Sequence, residues 1–197
     1  MKCVSCSDEY PEPEIIDNVA YFVCSSCGHL HEVNNYKDLT KDQIIEKIEA
    51  AFSGVTLGDG IGLFEAQAID DYETEEVQKR RREDDEKINW KSIAYDVLQS
   101  CQSSLSFFDA DGMRFHLPAY IIGSIKGEVD DPIFHLTNMG SYMESRLVSL
   151  NVEQHKAIIE YLTWCLTEDE YSYDYPNISR ALAEYWEKQY KTRKKHM

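Results

Sequence analysis

Apolar residues recur every three to four positions through most of this chain, the period of a helix with one face on a core. Ile44, Ile45, Ile48, Ala51 and Phe52 form the first such stripe. Thr40 with Gln43 three residues on has the form of a capping box, and Ser53-Gly54 has the form of a stop. Leu63, Ala66 and Ile69 mark a second helix, entered from the glycine-bearing loop Thr56-Leu-Gly-Asp-Gly60. That loop lacks the lysine and the spacing of a phosphate-binding loop and reads as a turn. Trp90, Ile93, Val97, Leu98 and Cys101 mark a third helix. Asn151 with Gln154 caps a fourth, which presents Ala157, Ile158, Tyr161, Leu162 and Cys165 on one face. Asn177 caps the last, with Ala181, Leu182, Tyr185 and Trp186 inward. Its end, Lys188 to Lys195, is basic, which suits the negative pole of a helix.

Two stretches break the helical pattern. From Leu105 to Tyr120, aromatics flank Asp111-Gly112, a turn signal that predicts a short hairpin, with Pro118 opening the next helix. From Asp70 to Glu86 the chain is almost wholly charged: Asp70, Asp71, Glu73, Glu75 and Glu76, then Lys79 to Arg82, then Glu83 to Glu86. Such a run cannot bury itself. It reads as a solvated helix face or a connection, with room for i,i+4 ion pairs.

The first residues follow neither pattern. Cys3-Val-Ser-Cys6, seventeen residues, then Cys24-Ser-Ser-Cys27 is the sequence form of a four-thiolate zinc ribbon. Val19 to Val23 and His29 to Val33 read as the two arms of a hairpin around the second cysteine pair, and Gly28 supplies the backbone freedom such a knuckle needs. Cys3, Cys6, Cys24 and Cys27 together close a tetrahedral site, so the zinc is structural and leaves no position for a reacting water. The expected architecture is a zinc ribbon over residues 1–36 followed by a mainly α, compact helical domain with one short hairpin over 37–197.

Composition narrows the function classes. Nothing in the 197 residues approaches the length of apolar chain that crosses a bilayer. The start, Met1-Lys2-Cys3, reads as lacking a signal peptide, which makes the cytoplasm the expected compartment. Cys101 and Cys165 sit in apolar helical patterns and read as buried thiols. A formal charge of −16 opposes general binding to nucleic acid and favours a partner with a basic surface. No nucleophile elbow, dinucleotide fingerprint or HExxH is present. Asp109, Arg114 and His116 lie close in sequence, but a cap or a cross-turn pair explains them better than acid–base chemistry. His135 and His155 each lack a second ligand at helical spacing. The expectation is a binding protein and not an enzyme.

Four stretches carry a likeness: Leu63-Phe-Glu-Ala-Gln-Ala-Ile-Asp-Asp-Tyr72, Ser104-Leu-Ser-Phe-Phe-Asp-Ala-Asp-Gly-Met-Arg-Phe-His-Leu-Pro-Ala-Tyr120, Asp131-Pro-Ile-Phe-His-Leu-Thr137 and Leu150-Asn-Val-Glu-Gln154. In their order they resemble a family of small bacterial proteins of unknown function, which implies a compact helical domain and no particular activity. In size and charge the chain also resembles cytoplasmic immunity proteins of bacterial toxin systems. That second likeness implies a protein that covers a toxin's basic active site with carboxylates, here Asp70, Asp71, Glu73, Glu75 and Glu76. The alternative expectation is a regulatory module associated with nucleic acid, using the ribbon, Lys79 to Arg82 and the basic end.

Overall fold

The computed structural model describes residues 39–195, together with Ser26 and the backbone of three strands. These are β1 (Glu14–Ile16), β2 (Val19–Val23) and β3 (Leu30–Glu32). They form one antiparallel sheet in the order β1-β2-β3, with Tyr21 opposite both Glu14 and Glu32. The expected hairpin arms do pair, and β1 adds a strand that the sequence reading did not contain. Cys3, Cys6, Cys24 and Cys27 lie outside the described residues.

The chain forms two compact units. The first comprises Met1–Ile44, Leu136–Asn138 and Asn151–Met197, and the second comprises Ile45–His135 and Met139–Leu150. Helix α1 (Lys41–Ala51) begins in the first and ends in the second. The Thr40–Gln43 box forms at its start, with Gln43 N–H donating to Thr40 Oγ1 at 3.3 Å and Thr40 N–H to Gln43 Oε1 at 2.9 Å. Ile44, Ile48 and Phe52 are buried, and Gly54, at φ +72°, takes the left-handed turn that ends the helix.

In the first unit, α8 (Val152–Cys165) carries the predicted inward face and the predicted cap, Asn151 and Gln154 exchanging bonds of 2.9 Å. Then follow α9 (Tyr175–Ala181), a π-helical turn at Leu182–Trp186, and α10 (Glu187–Lys194). Asn177 does not cap this run. The helix starts two residues earlier because Pro176, in its first turn, already has the helical φ. Trp186 is fully buried and its indole donates to the Leu136 carbonyl at 2.8 Å.

In the second unit come α2 (Leu63–Asp70), α3 (Glu75–Glu83), a 3-10 turn at Trp90–Ser92, α4 (Tyr95–Ser100) and a 3-10 turn at Gln102–Ser106. After them stand α5 (Ala110–Ile125), α6 (Ile133–Thr137), which runs into the first unit, and α7 (Ser141–Arg146). Ala68 and not Ile69 is buried with Leu63 and Ala66 in α2. The third predicted helix is interrupted between Ser92 and Tyr95, although Trp90, Leu98 and Cys101 are buried as its stripe implied.

The stretch 105–120 is not a hairpin. Asp109 accepts the Gly112 amide at 2.8 Å and so caps α5, a sixteen-residue helix that runs straight through Asp111-Gly112. The glycine is there for space: a Cβ on Gly112 would run into the Ile61 carbonyl oxygen. Pro118 lies in the interior of α5, not at its first turn. Residues from Gly112 to Ile125 are buried on nearly every side, so packing around the whole helix offsets the lost Pro118 amide.

Candidate functional site

The five predicted carboxylates fall on one corner, the α2–α3 turn. Asp71, Glu73, Glu75 and Glu76 are exposed and Asp70 is half-buried. Glu75 and Glu76 occupy the first turn of α3, where the positive pole of the helix favours them. Thr74 caps that helix by accepting the Val77 amide at 3.4 Å. The anticipated i,i+4 pairs do not form: among the described residues, neither Glu75 with Lys79 nor Glu76 with Arg80 makes an ion pair. Arg82 is the cation that is used. It pairs with Glu65 at 2.9 Å and donates to the carbonyls of Gly60 and, at 3.0 Å, Gly58. That clamp ties α3 to the glycine-bearing loop and leaves Lys79, Arg80 and Arg81 exposed.

Tyr72 sits at the apex of this corner, and the sequence reading did not single it out. The Tyr72 amide bonds the Ile69 carbonyl at 3.1 Å and the Glu73 amide the Ala68 carbonyl at 2.9 Å. This is the double bond pattern that ends a helix with one left-handed residue, a place normally filled by glycine. Tyr72 holds it at φ +55°, and is the one non-glycine with positive φ among the described residues. A side chain there costs about 1–2 kcal/mol. The residue is 95% exposed, so no packing among the described residues repays the strain. The available signal was the last letter of the Asp70-Asp71-Tyr72 helix end, at a helix stop with no glycine.

Beneath the corner, Asp85 reaches back across twenty-one residues to cap α2, accepting the Phe64 amide at 2.6 Å and the Glu65 amide at 3.4 Å. The local cap position is Gly62, which has no side chain to do this. Burial raises the Asp85 pKa to about 6; the two amides pull it down and the Glu65 charge pushes it up. Asp109 Oδ1 also holds the loop, taking the Ile61 amide at 3.0 Å.

Asp109, Arg114 and His116 each take a different partner. Arg114 pairs with Asp111 at 3.3 Å. His116 is fully buried, stacks on Phe108 at 4.4 Å and bonds the Gly112 carbonyl through Nδ1 at 2.8 Å. Burial lowers its pKa to about 4, the Gly112 bond and the Asp109 charge opposing. Among the described residues no group of three or more His, Cys, Asp or Glu side chains could hold a metal ion, and no helix is long and apolar enough to cross a membrane.

A family of unknown function, DUF6714, matches residues 40–190. The chain belongs to that family. The match begins at the Thr40 cap and ends within α10, so the DUF6714 region takes in both the acidic corner and the Asp109-capped helix. It also spans all four stretches on which the sequence likeness rests, and it leaves the four N-terminal cysteines outside. No curated protein and no solved structure matches the chain.

Proposed function

We propose that this DUF6714 protein is a cytoplasmic immunity- or antitoxin-like binding protein that covers the basic active site of a toxin with its α2–α3 corner. The observation that carries the reading is Tyr72, a strained and almost fully exposed aromatic ring set among Asp70, Asp71, Glu73, Glu75 and Glu76. Backbone strain that no described neighbour repays is often kept for contact with something else. An aromatic anchor inside a ring of charge has the composition of an interface hot spot. The carboxylates would stand in for substrate phosphates and pair with arginine or lysine. In the test, the chain is co-expressed with a toxin domain encoded by a neighbouring gene. Protection from the toxin and co-purification of a basic partner are expected. Changing Glu73, Glu75 and Glu76 to lysine should abolish both. Tyr72→Gly should weaken binding at least about tenfold while raising stability by about 1 kcal/mol. Recovery of no basic partner, with no rescue, sinks the reading.

The exposed Lys79, Arg80 and Arg81 favour one second reading, a regulatory module associated with nucleic acid. A gel shift at low salt separates the two, since an unretarded RNA or DNA at micromolar protein ends it.

Residues 1–36 are proposed to fold around one structural zinc held by Cys3, Cys6, Cys24 and Cys27. Cys24 and Cys27 fall in sequence between the paired strands β2 and β3, which suits a knuckle. A segment this short buries too little apolar surface to fold without such a staple. Elemental analysis should find one zinc per chain. Cys24→Ser should release it and loosen the N-terminus while leaving most of the helical signal, because α2 packs on α3 and α4 on α5 without it. Well under one zinc in the unaltered protein overturns this.

A further inference from the structure

Arg146, at the end of α7, is only 6% exposed. A buried guanidinium is ordinarily held by a carboxylate. Among the described residues none lies within ion-pair distance of it. Its Nη1 donates to the Leu105 carbonyl at 3.3 Å and its Nη2 to the Tyr142 hydroxyl. The Tyr142 ring covers one face of the guanidinium, its centroid 3.9 Å from the central carbon. Those two bonds use two of the five N–H donors a guanidinium has. Asp109 attracts Arg146 from farther off, but its Oδ1 is committed to the amides of Ile61 and Gly112.

Other groups of the same unit complete the picture. His135 is 9% exposed, and its Nδ1 has no hydrogen-bond partner. Burial and then the Arg146 charge lower its pKa to about 4, so it is neutral and within electrostatic reach of Arg146. The Phe134 ring meets His135 edge-on at 5.3 Å. Phe134 and Tyr142 are each 62% exposed.

We propose that Arg146, Tyr142 and His135 form a binding site for a carboxylate carried on an aromatic body. A planar carboxylate matches the guanidinium fork. One cation balances one negative charge, whereas a phosphate dianion would bring a second into a chain already at −16. His135 adds a hydrogen bond in its Nδ1–H tautomer, and the exposed rings of Phe134 and Tyr142 cover the aromatic body. A free aryl acid and a peptide ending in phenylalanine offer the same group. The site uses none of the carboxylates of the acidic corner on α2 and α3.

The test is an NMR titration of the full chain at constant ionic strength, read at the Arg146 Nε–H. The ligands are sodium benzoate and a short peptide with a C-terminal phenylalanine carboxylate. Benzamide and the amidated peptide are the controls. A saturable shift with either acid and none with the amides supports the site, and which acid acts assigns the source. Arg146→Lys keeps the charge but loses the fork and should abolish the shift, followed at Tyr142 and Phe134. Because Arg146 also holds the Leu105 carbonyl, that variant can fail to fold. Phe134→Ser, at an exposed position, then carries the test, weakening binding several-fold with an unchanged melting temperature. No saturable shift at tens of millimolar, or equal shifts from the amides, overturns the proposal.

Discussion

Lowering the pH from 7 to 5 is expected to reduce the stability of the folded chain by about 4–5 kcal/mol. His116, His135 and His155 are buried, and burial is the largest influence holding each near a pKa of about 4. An unfolded histidine titrates near 6.5. Between those values the unfolded chain binds protons that the folded one refuses. The contribution is therefore fully present above pH 6.5 and is lost as the pH falls towards 4. His155 repeats the arrangement of His116, its Nδ1 bonded to the carbonyl four residues back, Asn151, at 3.1 Å. Each histidine accounts for roughly 2 kcal/mol over this interval. Asp85 works in the opposite direction. Its folded pKa of about 6 lies above the unfolded value of 3.8, so folding is favoured by its protonation and it offsets roughly 1 kcal/mol as the pH drops. Urea unfolding at pH steps from 7.5 to 4.5 measures the slope. His155→Gln should flatten it by about one proton, and Asp85→Asn should steepen it while leaving stability at pH 7 equal or higher. A stability that is level between pH 7 and 5 would show that these histidines titrate normally.

Gly62→Ala is expected to destabilise by about 2–4 kcal/mol, a large value for adding one methyl group. The cause is steric: the φ of Gly62 is −82°, which alanine adopts freely. A Cβ at this position would overlap the carboxylate of Asp85. That carboxylate cannot step aside, since it is buried and bonded to the Phe64 amide. Relief of the clash would cost α2 its cap. Gly140→Ala is the control, because its added Cβ would meet nothing within 4 Å. It should change stability by less than about 0.5 kcal/mol. The double variant Gly62→Ala, Asp85→Ala removes clash and cap together and should be less destabilised than the sum of the two singles. Denaturant midpoints for the unaltered chain and the four variants decide it. A Gly62→Ala protein as stable as the Gly140→Ala control would mean that Asp85 does not hold α2.

The two expectations differ in how far the sequence foresaw them. The buried faces of α1 and α8 and their capping boxes were legible in sequence, because the helical period and a cap three residues away are local properties. So was the exposure of Asp71 to Glu76, since a run of charge finds nothing to bury against. The Asp111-Gly112 turn was misread for the same local reason. That dipeptide looks alike at a hairpin tip and in the first turn of a capped helix. What chose the helix was Asp109 on the Gly112 amide and the close approach of the Ile61 carbonyl, fifty-one residues away in sequence.

The chain's own letters thus determined the helical class, most of the inward faces and the acidic character of the α2–α3 corner. Tertiary structure alone decided what those residues do for one another. Asp85 became the cap of α2, and Arg82 became a clamp while its three basic neighbours stayed free at the surface. Tyr72 was placed in a left-handed turn, and Arg146 was buried with no carboxylate of the described residues at ion-pair distance. Apart from the Tyr72 turn, each of these depends on groups brought together from distant stretches. Periodicity, composition and capping signals extend over a few residues, so they carry no information about which distant carbonyl or amide a side chain will meet.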